Sequence, residues 1–145
     1  MIAYFDSSVL LAILFNEERY DAARYMWETS DFWLSSFLLR IETNISLRRT
    51  YKISEHKYDD SWLPQKMNEL NILLKEVHCK PMDSSIERIV VQNKELDSCK
   101  SLDAIHIATA LYFKENSKEQ NIIFCSFDKN MLAIAKELKF EVNPV

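Results

Sequence analysis

The 145 residues are 48% hydrophobic, 28% charged and 12% aromatic, the make-up of a globular domain and not of a disordered tail or a fibre. Glycine is absent, which excludes the GxxxxGK[ST] phosphate loop and the GxGxxG dinucleotide turn, because both need glycine where backbone approaches phosphate closely; ATPase, kinase and Rossmann dehydrogenase chemistry fall with them. Eighteen Lys and Arg against 22 Asp and Glu leave a net charge of −4, so a polyanionic partner must be met by local positive charge or by metal ions.

In chain order, Ile2–Phe5 reads as a buried strand, followed by a helix from about Ser8 and an amphipathic helix over Glu17–Thr29. Phe32–Ser35 is the next strand. A helix starts near Phe37, with Phe37, Leu38, Ile41 and Ile45 expected on one buried face, and the charged segment Arg48–Lys52 closes it. Ser54–Val77 predicts a long helix, which Pro64 must kink or restart because it has no N–H for the preceding turn. A strand at Val77–Lys80 leads through Pro81 and Asp83 into a helix carrying Ile86, Ile89, Val90 and Val91. Ser101–Asn116 is a strongly apolar helix, Asn121–Cys125 a strand, Lys129–Leu138 a helix and Phe140–Val142 a last short strand.

This alternation predicts an α/β fold: a central parallel sheet of four to five strands, helices on both faces, and a ligand site beyond the C-terminal strand ends where strand order reverses. No repeat or linker interrupts the pattern, so residues 1–145 are expected to form a single domain. In place of glycine, Asn16, Asp31, Asn116 and Asn121 are expected to take the turn geometries. Cys79, Cys99 and Cys125 fit neither a disulfide framework nor zinc spacing and read as buried thiols. The apolar run Val9–Phe15 is short and has Asp6 where a signal peptide has basic residues; with no membrane-spanning stretch either, a cytoplasmic protein is expected.

Four acidic residues fall where this architecture brings them to one edge: Asp6, Glu42, Asp103 and Asp128. Asp6 follows the first strand directly, and Asp128 follows IIFC through Ser126 and Phe127; each serves as a helix N-cap or as a site carboxylate. Glu42 has no basic neighbour three or four positions away, so it is either solvated or met by a distant cation. Asp103 opens LDAIHIATAL, where Asp103, His106 and Thr109 form a polar stripe while Leu102, Ile105, Ile107 and Leu111 pack the core; Asp103 also suits a first-turn acid favoured by the helix dipole. His106 reads as a hydrogen-bonded supporting or core residue, not a ligand. Converging carboxylates raise one another's proton affinities unless divalent cations bind, and hard oxygen ligands select Mg²⁺ or Mn²⁺.

These residues resemble the PIN-domain ribonucleases, especially the VapC-like toxins of bacterial toxin–antitoxin pairs, over nearly the whole chain. Tyr4-Phe5-Asp6-Ser7-Ser8 is similar to the family's first motif, Glu42 to its helical glutamate, Asp103 to Leu111 to its DAxHxATAL helix, and Ser126-Phe127-Asp128 to its final motif. The resemblance implies a three-layer α/β/α PIN-like fold and a metal-dependent endoribonuclease. Asp6, Glu42, Asp103 and Asp128 would bind one or two Mg²⁺ or Mn²⁺ ions and carry the catalysis, with Ser8, His106 and Ser126 supporting them. Arg48, Arg49 and Lys52 form the one compact basic cluster and, with Lys100, are the candidate RNA contacts, although a solvated helix end reads as well. The resemblance further implies an RNA substrate (tRNA, rRNA or mRNA), a cognate antitoxin and a homodimer. The surplus of aromatics from Tyr20 to Trp62 is either core or partner surface. The rival reading is a catalytically silent PIN-like binding module that keeps the fold without metal.

Overall fold

The computed structural model describes residues 1–55, 57–118 and 121–143. Five strands, β1 (Ile2–Phe5), β2 (Phe32–Ser36), β3 (Val77–Lys80), β4 (Ile122–Cys125) and β5 (Glu141–Val142), form one sheet in the order β3-β2-β1-β4-β5. Every pairing is parallel, with Ala3 opposite Trp33 on one side of β1 and Ile123 on the other. Strand order therefore turns back at β1, between β2 and β4, and this opens a crevice at the carboxyl ends of β1 and β4.

Alternation along the strands divides the core into two apolar layers. Ala3, Phe5 and Cys125 pack beneath α1 (Ser7–Phe15), α2 (Tyr20–Glu28), α3 (Phe37–Ile53) and α4 (Trp62–Lys75). Tyr4, Ile122 and Phe124 pack beneath α5 (Ser84–Gln92), α6 (Ser101–Asn116) and α7 (Lys129–Glu137). This is the three-layer α/β/α arrangement expected from the sequence. Among the described residues no helix is long and apolar enough to cross a membrane.

The predicted helix over Ser54–Val77 is not continuous. Ser54 Oγ donates to the Tyr51 carbonyl, Glu55 takes a positive φ of 43°, and the Asp59 carboxylate accepts from the amide and hydroxyl of Ser61. These local bonds compete with the helical ladder, and α4 begins only at Trp62. Pro64 then lies in the first turn, where its missing N–H has no helical partner to lose. A 3-10 turn at Lys94–Ser98, absent from the sequence expectation, links α5 to α6.

In α3 the predicted face is corrected. Leu38, Leu39, Thr43 and Leu47 are buried, whereas Phe37 and Ile41 are 43% and 49% exposed. Two stripes of equal spacing compete on this helix, and the one that meets α1 and α4 wins. Leu102, expected in the core, is likewise exposed in the first turn of α6. The aromatic surplus is mostly consumed internally: Tyr58 stacks on Trp62 at 4.3 Å, Tyr51 and Phe15 lie against the same indole, and Trp27 is buried, while Tyr25 and Phe32 remain exposed. All three thiols are free, but only Cys125 is buried; Cys79 and Cys99 are half-buried.

Among the described residues, left-handed geometry falls on Asn16 as expected, and otherwise on Glu55 and Lys139 instead of Asp31, Asn116 or Asn121. At the end of α7, Phe140 N–H donates to Ala135 O and Lys139 N–H to Lys136 O, a Schellman turn with lysine where glycine is favoured. Lys114 Nζ donates to the Leu138 and Lys139 carbonyls of that turn.

Two stability tests follow by urea denaturation. Leu39→Ala should cost about 2–5 kcal/mol and Ile41→Ala within about 0.5 kcal/mol, the reverse of what a buried Ile41 requires. Lys139→Gly should stabilise by about 0.5–1 kcal/mol, because glycine accepts the positive φ without a Cβ clash and gives back part of the gain as chain entropy.

Candidate active site

The crevice is built around Asp6, the residue after β1 and the N-cap of α1, only 4% exposed. A buried carboxylate is tolerable only where hydrogen bonds replace most of the water it has lost. Asp6 Oδ1 accepts from Ser8 N–H (3.1 Å) and Ser8 Oγ–H (2.6 Å), and Oδ2 accepts from Ser126 Oγ–H (2.6 Å). Each serine oxygen in turn accepts an amide from the β4–α7 loop: Ser8 Oγ from Phe127 (3.0 Å) and Ser126 Oγ from Asp128 (2.9 Å). The two serines staple the end of β1 to the end of β4. A carboxylate has about four lone-pair positions, so three bonds leave Asp6 one free, on Oδ2.

Glu42 lies in α3, directly after β2, and is partly exposed. Of the two alternatives the sequence left open for Glu42, a distant partner is present, His106, whose Nε2 is 2.6 Å from Glu42 Oε1, while the glutamate also keeps some contact with solvent. His106 is buried on α6, and its Nδ1 is 2.8 Å from the Tyr4 hydroxyl, so both ring nitrogens are engaged. Thr109, the third member of the polar stripe, is also buried and donates to the Ile105 carbonyl. Asp103 sits in the first turn of α6, and Asp128 caps α7 by accepting from Met131 N–H at 3.1 Å. The capping roles of Asp6 and Asp128 thus coexist with their place in the crevice.

The charges of the four acids are felt across the site. Burial raises the proton affinity of Asp6, and the Glu42 charge adds to this, against the opposing effects of His106, Ser126 and Ser8. Asp103 is also raised, by burial first and then by the neighbouring charges of Asp128 and Glu42. Cys125, beneath Asp6, is pushed up to about 12 by burial.

The donor chemistry suits a hard divalent cation: four carboxylates, each with lone-pair positions not taken up by the hydrogen bonds described, whose charges act on one another. Among the described residues, however, no three Asp, Glu, His or Cys side chains are drawn together tightly enough to grip an ion. Of the predicted basic residues, Lys100 precedes α6 and its charge reaches Asp103. Arg48, Arg49 and Lys52 are exposed about two helical turns beyond Glu42, lining a groove of about 400 Å³ with Ile45, Tyr51 and Leu63.

Three residues of the site went unremarked in the sequence. Tyr4 passes for an ordinary strand residue. Asn143 accepts from Ser126 N–H (2.8 Å) and donates to Ser126 O (3.0 Å), fixing the backbone behind the serine clamp. Arg19 donates to the Phe127 carbonyl and lies over the Phe127 ring, which puts a cation beside the β4–α7 loop.

The acid-lined crevice lies at the strand reversal of an α/β/α sheet, and the family to which the chain belongs is shown by a match along its sequence. The chain belongs to the PIN-domain family, whose model matches residues 3–137 and whose members are generally nucleases. A solved structure of VapBC2 from Rickettsia felis, bound to a DNA fragment from their promoter, contains a chain of similar fold: the TM-score is 0.63 at 11% identity, covering 99% of this chain and 98% of that one. No curated protein sequence matches the chain.

The raised proton affinities make a prediction with a definite sign. A carboxyl group raised in the fold adds stability while protonated, fully so below about pH 4, and that contribution disappears as pH rises through the folded value. In EDTA, the stability of wild type relative to Asp103→Asn should therefore fall as pH rises, leaving the variant at least as stable at pH 7. A variant less stable than wild type at pH 7 in urea denaturation would make Asp103 a purely structural acid at the helix start.

Proposed function

We propose that this chain, a single PIN domain over residues 1–145, is a metal-dependent endoribonuclease and the toxin of a toxin–antitoxin pair, acting in the cytoplasm. The observation that carries the reading is the gathering of acids at one crevice: burial first, then the charges of Asp128 and Glu42, raise the proton affinity of Asp103, and burial, with a last contribution from Glu42, raises that of Asp6, a state that a divalent cation would relieve. Asp6, Glu42, Asp103 and Asp128 would hold one or two Mg²⁺ or Mn²⁺ ions. When bound, such an ion lowers the proton affinity of water and offsets the charge that gathers on a phosphodiester under attack.

The chain's own residues supply the rest. Ser8 and Ser126 hold Asp6 in one orientation, and His106, with Nε2 2.6 Å from Oε1, holds Glu42. Lys100 and Arg19 stand beside the acids, where they can meet phosphates flanking the cut; Arg48, Arg49 and Lys52 would follow the strand further along α3. The likeness of fold to a chain of VapBC2 supports a protein partner of the antitoxin kind, and a second copy of this chain is proposed alongside it. Glu42 engaged with His106, and no three ligating groups gathered among the described residues, favour the second reading, a silent binding module.

Cleavage of a panel of tRNAs, rRNA fragments and mRNA with Mg²⁺, Mn²⁺ or EDTA separates the two. Wild type should cut only with metal, and Asp6→Asn, Glu42→Gln and Asp103→Asn should each lose about 100-fold or more while staying folded. Neither cleavage nor Mn²⁺ binding by wild type would leave the silent module standing.

A further inference from the structure

Beneath the acids, a buried chain of polar groups crosses from the sheet to both helical layers. Tyr4 on β1, wholly buried, meets His106 on α6, 102 residues away, and His106 meets Glu42 on α3, 64 residues away. The Tyr4 ring is clamped, stacked on Phe124 at 5.3 Å and edge-on to the imidazole at 5.9 Å, so its hydroxyl has little freedom to move. Tyr4 lies two residues before Asp6 and on the same side of the strand, which makes it the floor of the crevice.

An imidazole in this setting has two neutral forms with opposite consequences. With its hydrogen on Nε2 it donates to Glu42; with its hydrogen on Nδ1 it turns a lone pair on the carboxylate and repels it. What occupies Nδ1 decides between them. A phenol carries its hydrogen at neutral pH, and the Tyr4 hydroxyl lies 2.8 Å from Nδ1, within donating distance of it. The hydroxyls of Ser35 and Thr109, which also neighbour the Tyr4 hydroxyl, give their hydrogens to the Phe5 and Ile105 carbonyls, so neither supplies a hydrogen to the ring, and the hydroxyl that faces Nδ1 is that of Tyr4.

We infer that Tyr4 is a positioning residue: its hydroxyl donates to Nδ1 of His106, places the ring hydrogen on Nε2, and so holds the Glu42 carboxylate in the orientation from which it serves the metal site. The role of Glu42 in this inference rests on the metal-nuclease reading, but the placement of the hydrogen does not. Tyr4 bonds to His106 and His106 bonds to Glu42, so Tyr4 acts through the imidazole.

Two measurements test it on the full-length chain. Long-range ¹⁵N NMR in EDTA at pH 8, with His106 assigned by the loss of its signals in His106→Gln, should show wild-type Nε2 protonated and Nδ1 bare; a protonated Nδ1 overturns the inference without any variant. Tyr4→Phe, which keeps the ring, should populate the Nδ1–H form and weaken Mn²⁺ binding by about tenfold, read from free Mn²⁺ by electron paramagnetic resonance. In a Glu42→Gln background Tyr4→Phe should change Mn²⁺ affinity less than about twofold, because the carboxylate it acts on is gone. An unchanged tautomer in Tyr4→Phe, or an equal loss of affinity in both backgrounds, overturns the inference. Failure of wild type to bind Mn²⁺ counts against the metal reading alone, and the tautomer arm still decides the role of Tyr4.

Discussion

A single buried carboxylate organises this molecule. Asp6 stands at the end of the central strand, in a place that excludes water, and an ion there is tolerable only if its oxygens are solvated by the protein. Ser8, Ser126 and the first turn of α1 provide that solvation. Because Ser126 directly follows β4, the need to satisfy Asp6 also fixes how the ends of β1 and β4 lie against each other. Helices α1 and α7 start from those ends, so their N-caps, Asp6 and Asp128, inherit the same geometry.

The absence of glycine shapes the rest of the backbone. Positive φ angles are carried by Asn16, Glu55 and Lys139, and the last sits in a helix-ending turn held together by backbone bonds and by Lys114. Side-chain hydrogen bonds take over work that flexible loops leave to backbone adaptability. Ser54, Asp59 and Ser61 shape the break between α3 and α4, and Asn143 braces the strand end behind Ser126.

The layer order and the positions of the acids were legible because they depend on local signals: apolar runs of strand length, an acid next to a hydroxyl at a strand end, and the unusual DAIHIATAL helix. What stayed hidden depends on tertiary choice. In α3, Phe37-Ile41-Ile45 and Leu39-Thr43-Leu47 have the same spacing, and only the neighbouring helices α1 and α4 decide which stripe is inside. The helical pattern through Ser54–Asp60 is defeated by side chains that bond their own backbone. Tyr4 and Asn143 could not be recognised, since a tyrosine in a strand and an asparagine after one carry no mark of the partners, His106 and Ser126, that give them meaning.

The serine clamp has a polarity. In each arm a backbone amide points its hydrogen at a hydroxyl oxygen, and the hydroxyl points its own hydrogen at Asp6. An amide nitrogen cannot accept, so neither arm can reverse direction. Both strings of dipoles turn their positive ends on the carboxylate and close it off on three sides. A proton or a cation reaching Asp6 has one approach left, the open lone pair of Oδ2, and must leave the same way. The clamp thus works as a one-port fitting, and it gives the buried acid a single direction in which to do chemistry.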